Sequence, residues 1–244
     1  MADIVELKNV NFSAQDRNVV QDISIGFEVS KVTALVGPSG GGKSTVLKLA
    51  AGLLVPDQGE VLYKEKNVAY MNRGENLEFR REGAFVFQDS ALWANQDLYR
   101  ILELPLRTHF PQMDRIEREK RIREVTAEVG YKRDLTIRPA RLSMGEQKLI
   151  AFARAMICNP TLLYLDEWTE SLDETAADRL IDLVKKKISE GVSIIFVSHD
   201  MRIIKDMADY VIMIADGKVS FKTTREQIAK DAKLSNFLRM GIAS

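Results

Sequence analysis

A glycine-rich loop constrains this chain more than any other stretch of its sequence. Residues 37–44 match the pattern G-x-x-x-x-G-K-[ST]. The apolar, β-branched run Lys31–Val36 before the loop predicts a buried strand, and Thr45–Ala51 after it predicts a helix. A strand, a glycine loop and a helix in this order form a site for phosphate groups, because backbone N–H groups and the positive end of the helix converge on the same anion.

The residue types in the loop predict a nucleoside triphosphate as its ligand. Glycines let the backbone approach phosphate oxygens without Cβ clashes. We expect Lys43 to contact the β- and γ-phosphates as a point charge and the Ser44 hydroxyl to bind Mg²⁺. The candidate nucleotide-binding residues are Gly37, Pro38, Ser39, Gly40, Gly41, Gly42, Lys43, Ser44 and Thr45.

Two further strands end in residues suited to phosphate chemistry. Asp166 and Glu167 follow the apolar run Thr161–Leu165. A carboxylate at the carboxyl end of a parallel strand can hold Mg²⁺, usually through water, so we predict that Asp166 does so. We predict that Glu167 polarises a water for attack on the γ-phosphate, and that His199, after the strand Val192–Val197, reaches the same phosphate. His109 has no such context and is predicted at the surface.

The order of predicted elements indicates an α/β fold with a mostly parallel sheet covered by helices on both faces. Residues 89–141 look mainly helical, and within them residues 112–129 predict a solvated helix with a thin apolar stripe. The predicted strands are Ile4–Phe12, Val20–Val29, Lys31–Val36, Glu60–Tyr63, Ala84–Phe87, Thr161–Leu165, Val192–Val197, Tyr210–Ala215 and Lys218–Lys222. The other predicted helices are Thr45–Ala51, Met144–Ile157, Glu174–Ser189 and a tail from Arg225.

Composition excludes several classes of protein. Lys+Arg and Asp+Glu both number 35, so there is no basic excess for a dedicated nucleic-acid binder, and we expect no nucleic-acid partner. The single cysteine, Cys158, cannot form an intrachain disulfide and is expected to be a small buried side chain. No apolar run approaches the ~20 residues of a membrane-spanning helix. The first residues also lack the pattern of a secretory signal.

The segment Leu142–Gln147 resembles the signature motif of ATP-binding-cassette (ABC) ATPases, L-S-G-G-Q. The glycine loop, Gln88, this segment, Asp166 with Glu167, Asp173 and His199 follow the order of that family's landmarks. The resemblance implies one cassette domain over residues 1–244, with a P-loop NTPase core and an antiparallel β part in residues 1–88 and 151–224. Residues 89–150 would form the helical signature subdomain, and residues 225–244 a helical tail.

The resemblance also implies a mechanism. Two copies would pack head to tail and enclose two ATP molecules, each between the glycine loop of one copy and the signature segment of the other. Ser143 and the Gly145 backbone would contact the γ-phosphate held by the partner, and Asp173 would lie at the seam. Gln88 would contact both Mg²⁺ and the attacking water, and Glu167 would be the catalytic base with His199 beside it.

Some positions depart from the family pattern. Met144 stands where a glycine is common and Glu146 where glutamine is, whereas Gly145 is retained, so a working site is expected. Trp168 replaces a proline and is interpreted as a packing residue. Ala14 stands where an aromatic side chain often stacks on adenine; Phe12, nearby, either stacks there or belongs to the core.

The segments Phe87–Trp93, Leu104–Arg107 and Ser235–Gly241 are similar to those of Mla/Mce-type phospholipid transporter ATPases. This resemblance implies transmembrane permease subunits as partners, an Mce-domain lipid-binding protein, and a peripheral position on the cytoplasmic face of the inner membrane. Two alternatives stay open: the ATPase of a small-solute importer, and a cassette that regulates cell-wall enzymes through a membrane partner. Residues 91–93 would also suit a groove in which any membrane subunit docks.

Overall fold

The computed structural model of the chain describes residues 2–230. The strands are β1 (Asp3–Ala14), β2 (Arg17–Glu28), β3 (Val32–Val36), β4 (Gln58–Tyr63), β5 (Lys66–Asn67), β6 (Gly83–Val86), β7 (Leu162–Asp166), β8 (Ser193–Val197), β9 (Tyr210–Ala215) and β10 (Lys218–Thr224). The α-helices are α1 (Lys43–Ala50), α2 (Arg73–Glu82), α3 (Leu98–His109), α4 (Arg115–Glu128), α5 (Met144–Met156), α6 (Glu174–Ser189), α7 (Met201–Met207) and α8 (Arg225–Lys230). Short 3₁₀ helices lie at Val68–Tyr70 and Pro139–Arg141.

The strands form two sheets. One is antiparallel, with the order β2-β1-β4-β5, and the other has the order β10-β9-β3-β8-β7-β6. In the second sheet β9, β3, β8, β7 and β6 run parallel, while β10 pairs antiparallel with β9 after a turn at Asp216 and Gly217. The predicted mostly parallel sheet with an N-terminal antiparallel part is therefore confirmed.

The central strands of the parallel sheet are buried on both faces, so their alternating side chains join two hydrophobic clusters. In β8, Ile194 and Phe196 face a cluster that includes the apolar sides of α3, α4, α5 and α6. Ile195 and Val197 face the opposite cluster, which contains α1 and the antiparallel sheet. This double coverage fixes the carboxyl ends of β3, β7 and β8 side by side.

Two helices were missing from the sequence prediction. Helix α2 buries only Phe79, so its sequence has almost no apolar periodicity; an Asn72–Glu75 capping box begins it instead. Helix α7, of only seven residues, is preceded by the N-cap Asp200, whose side chain accepts a hydrogen bond from the Arg202 N–H. Such short or polar helices depend on their caps and on tertiary packing more than on a hydrophobic stripe.

Other expectations were right in part. In α4, Ile122 and Val125 are buried as a thin stripe, but Ile116 is 75% exposed and does not belong to it. His109, predicted at the surface, is half-buried because α3 turns its ring toward a cleft that also borders Cys158. The tail beyond Lys230, including Ser235–Gly241, lies outside the described residues. Within residues 2–230, no helix combines the length and the apolar character needed to cross a membrane.

Candidate functional site

The glycine loop joins β3 to α1 in a conformation that needs glycine at two positions. Gly37 has φ 138°, and a Cβ there would lie 2.0 Å from the Ile214 carbonyl oxygen. Gly42, the N-cap of α1, has φ 101°, and its Cβ would lie 2.8 Å from the Val19 carbonyl oxygen. Side chains at these positions would collide with neighbouring backbone, so the loop is held tightly against β9 and β2.

Helix α1 begins with the polarity that an anion requires. No side chain caps its N-terminus, and its first turn contains no acidic residue. The first N–H groups of a helix lack intrahelical acceptors and carry the positive end of the helix dipole. The start of α1 therefore fits a phosphate group.

Lys43 places its ammonium group on the inner side of this loop. Its Nζ donates hydrogen bonds to the carbonyl oxygens of Gly37 at 2.9 Å and Pro38 at 2.8 Å, and the side chain is buried. Burial lowers the pKa of Lys43, while the carboxylates of Glu167 and Asp166 act in the opposite direction. Burial therefore leaves the Lys43 charge incompletely compensated, and a phosphate ligand would supply the missing negative charge.

Ser44 and Asp166, both predicted to bind metal, lie together. The Ser44 hydroxyl donates a 2.8 Å hydrogen bond to Oδ1 of Asp166, the last residue of β7. Burial raises the pKa of Asp166, and the hydrogen bond from Ser44 partly opposes that shift. Among residues 2–230 no cluster of three or more His, Cys, Asp or Glu side chains could hold a metal. One hydroxyl and one carboxylate still fit Mg²⁺, which usually keeps waters and substrate phosphates as its other ligands.

Glu167 and His199 form the second pair at this edge of the sheet. Glu167 is buried, its backbone has φ 43°, and its N–H donates to the Val197 carbonyl oxygen at 3.2 Å. Its Oε1 lies 2.9 Å from His199 Nε2, an ion-pair distance without the alignment of a hydrogen bond. Burial raises the pKa of Glu167, and His199 acts against that shift. A carboxylate with a raised pKa is a stronger base than an ordinary glutamate, which suits a group that accepts a proton.

Gln88 is exposed at the end of β6, and its Nε2 donates a 2.9 Å hydrogen bond to Glu170. The sequence analysis did not identify the residues that hold the backbone around Gln88 in place. Lys148, on α5, donates from Nζ to the carbonyl oxygens of Phe87 at 3.1 Å and Gln88 at 2.5 Å. A lysine among the apolar residues of a helix was the signal available in the sequence, since Lys148 is only 2% exposed.

A second cation from α5 supports the next part of the same loop. Arg154 donates to the carbonyl oxygens of Ala91 at 2.6 Å and Ser90 at 3.1 Å. Ser90 and Ala91 both have positive φ, at 64° and 43°, so this backbone is strained and needs such support. The residues after Gln88 are therefore fixed to α5, the helix that begins at the signature segment.

The signature segment forms the N-terminus of α5. Ser143 caps the helix: its Oγ accepts from the Glu146 N–H at 3.2 Å. A Cβ on Gly145 would lie 3.2 Å from the Ser171 carbonyl oxygen, so the signature packs against the loop that leads to α6. Asp173 caps α6 by accepting from the Ala176 N–H at 2.8 Å. These hydrogen bonds are local helix caps, separate from the Lys43, Ser44, Asp166 and Glu167 group.

Two aromatic residues have packing roles. Trp168 is fully buried, with its ring centroid 5.7 Å from that of Phe152, as expected of a packing residue. Phe12 is half-buried and packs against the cluster on the α1 side of the sheet, which favours the core interpretation over adenine stacking.

Known proteins resemble the chain in sequence and structure. The family model described as ABC transporter matches residues 20–170. The MlaF ATP-binding protein of the intermembrane phospholipid transport system of Haemophilus influenzae is 31% identical over 97% of this chain and 90% of its own length. The methionine import ATP-binding protein MetN of Clostridium acetobutylicum is also 31% identical, over 88% of this chain and 67% of its own length. The ATP-binding cassette MJ0796, solved as a post-hydrolysis dimer bound to ADP and Pi, superposes with a TM-score of 0.83 at 28% identity, covering 91% of this chain and 98% of that one.

Proposed function

Because this chain belongs to the ABC transporter family, we propose that it hydrolyses ATP at a site built from its own glycine loop and the signature segment of a second copy. The chain is an ATP-binding and ATP-hydrolysing subunit of a transporter. The observation that carries the proposed site is the group at the carboxyl ends of β3, β7 and β8. This group consists of Lys43, Ser44, Asp166, Glu167 and His199.

Each member of this group has a distinct chemical role. The loop amides and Lys43 bind the β- and γ-phosphates of ATP. Ser44 and Asp166 would hold Mg²⁺, which supplies positive charge against the phosphate oxygens. Glu167 accepts the proton of the attacking water, and His199 orients the Glu167 carboxylate that lies 2.9 Å away. Gln88, steadied by Lys148, lies on the exposed side and would position the water and contact the metal.

The second half of the site is proposed to come from a partner copy. Ser143 and Gly145 lie at the exposed N-terminus of α5, where N–H groups and the helix dipole favour an anion. Asp173 caps α6 beside them and would lie at the seam. The dimer of the similar MJ0796 cassette supports this arrangement. ATP would favour the closed dimer because only that state makes both sets of contacts, and hydrolysis would remove that preference.

Substitution of Lys43 tests the phosphate site directly. Lys43→Ala should weaken ATP binding about 10- to 100-fold, since the anion loses a charge-assisted partner. Titration with a fluorescent ATP analogue measures the affinity. Lys120→Ala, an exposed lysine of α4, is the matched control. Equal affinities for Lys43→Ala and the control would contradict the phosphate-loop assignment.

Phospholipid is the proposed transported substrate. The similarity to MlaF over 97% of the chain supports this choice, together with the segments around Trp93 and Pro105. An Mce-domain lipid-binding protein would then belong to the same complex. The similarity to MetN favours a second candidate, a small-solute importer.

A surface cleft between Trp93 and helix α3 is the proposed dock for the permease. Trp93 and Leu104 are each 45% exposed, and together with Arg100 and Arg107 they line a cleft of about 580 Å³. Exposed apolar side chains in a cleft suit the apolar face of a partner helix. Arg100 and Arg107 pair with Asp97 and Glu103 of this chain at the rim of the cleft. The chain would thus be peripheral on the cytoplasmic face of the inner membrane, and alkaline washing should release it.

Purification of the native complex in mild detergent, followed by protein identification and lipid mass spectrometry, tests the substrate. We expect a multispanning subunit, an Mce-domain protein and phospholipid enriched over a mock purification. Trp93→Arg should lose these partners and still bind ATP. A soluble solute-binding protein in place of the Mce-domain protein would support the importer, and a membrane partner without any substrate path would contradict both.

A further inference from the structure

An acidic side chain lies at the N-terminus of α5, the helix end that the proposed function places against the γ-phosphate held by the partner copy. Glu146 accepts a 2.9 Å hydrogen bond from the Ser143 N–H through Oε2, and so completes a capping box with Ser143. Capping boxes stabilise helix termini by pairing two N–H groups. Glu146 therefore stabilises the signature segment, and it also brings a carboxylate to the end of the helix that the proposed function assigns to the γ-phosphate.

This carboxylate is ionised at neutral pH. The hydrogen bond from the Ser143 backbone and that from Arg133 lower the pKa of Glu146. A full negative charge exceeds the partial positive charge of about half a unit at a helix N-terminus. Uncompensated, Glu146 would therefore reverse the sign of the local field and repel a phosphate.

Arg133 supplies the compensating charge. It lies in the loop after α4, and its Nη1 is 3.0 Å from both carboxylate oxygens of Glu146. The same nitrogen is 3.3 Å from the Arg141 carbonyl oxygen, which ties the loop to the approach of α5. The two side chains are 49% and 27% exposed. Ion pairs with this exposure add little to stability, so the main effect of the pair is on the local field.

We propose that Arg133 is a positioning residue of the composite ATP site, which neutralises Glu146 so that the signature helix attracts the γ-phosphate bound by the partner copy. This inference rests on the proposed head-to-tail site. It assigns a role to a residue outside the signature segment that does not itself contact ATP.

ATP-dependent dimerisation in a Glu167→Gln background, followed by light scattering, tests the inference. Arg133→Ala should raise the ATP concentration at half-dimerisation about threefold, because each of the two ATP sites loses about threefold and two ATP molecules bind per dimer. Glu146→Gln should dimerise at the same or lower ATP concentration, since glutamine keeps the cap and removes the charge. The double variant Arg133→Ala/Glu146→Gln should return to near the value of the parent, because both charges are then absent, and Arg133→Lys should recover most of the loss.

Further measurements separate charge from structure. The defect of Arg133→Ala should shrink at high salt, because exposed charges are screened. Arg138→Ala, an exposed arginine of the same loop, should match the parent. A double variant that keeps the defect would overturn the proposal, and the role of Arg133 would then be its contact with the Arg141 carbonyl oxygen. An Arg133→Ala variant that dimerises like the parent would also overturn the proposal. If the Glu167→Gln parent itself stays monomeric with ATP, that result contradicts the proposed head-to-tail site, and the proposed role of Arg133 is contradicted with it.

Discussion

At the scale of single residues, Glu167 separates ATP binding from hydrolysis. Glu167→Gln keeps the size and polarity of the side chain but cannot accept a proton, so turnover should fall at least about 100-fold while ATP affinity stays near wild type. Steady-state phosphate release measures the turnover, and titration with a fluorescent ATP analogue measures the affinity. Glu128→Gln, an exposed carboxylate on α4, is the control. Unchanged phosphate release by Glu167→Gln would remove Glu167 as the base.

The same substitution should stabilise the protein without ATP. Burial raises the pKa of Glu167, so its charged form destabilises the native state above that raised pKa, and this cost disappears as the pH falls below the ordinary value for glutamate. Glu167→Gln should therefore raise the free energy of unfolding by about 1 kcal/mol at neutral pH, as other active-site substitutions do. Urea unfolding at several pH values checks this. A gain that is the same at acidic pH would point to packing and not to charge.

At the scale of secondary-structure elements, Lys148 links the signature helix α5 to the loop that carries Gln88. Lys148→Met fills a similar volume but leaves the carbonyl oxygens of Phe87 and Gln88 without their donor, which costs about 1–3 kcal/mol of stability. Because Gln88 loses its support, kcat should fall about tenfold with little change in ATP affinity. Lys132→Met, exposed after α4, is the control. An equal loss of kcat and affinity would indicate general damage to the fold.

The sequence predicted elements well where one physical signal dominates. The strands β3, β7 and β8 were found because burial on both faces produces a continuous apolar run in the sequence. The glycine loop was found because its residues follow a fixed local pattern. Helix α2 was missed because its capping box, and not an apolar stripe, defines it. The contacts of Lys148 and Arg133 were missed for a different reason: their partners are 60 and 13 positions away in sequence, and no local pattern encodes such a pairing.

At the scale of the whole molecule, the two proposed half-sites lie in different parts of the fold. The glycine loop lies between β3 and α1, whereas Ser143 begins α5 in the helical part of the chain. In the proposed arrangement, a second copy completes each half-site. In this proposal, opening and closing of the pair would be transmitted through the loop after Gln88. Lys148 and Arg154 of α5 hold that loop at Gln88 and Ala91.

A mixing experiment tests this two-copy arrangement. Ser143→Arg should block closure through bulk at the seam and leave the glycine loop of its own chain intact, whereas Lys43→Ala disables the loop and leaves the signature intact. Each variant alone should be nearly inactive. Mixed in equal amounts, they form heterodimers with one complete site, so the mixture should recover up to about a quarter of wild-type ATPase activity if the sites act independently. Mixing the double variant Lys43→Ala/Ser143→Arg with either single variant supplies the matched control, because none of the dimers in that mixture contains a complete site. If the two single variants stay inactive when mixed while each still binds or dimerises as expected, the glycine loop and the signature segment do not meet across a seam.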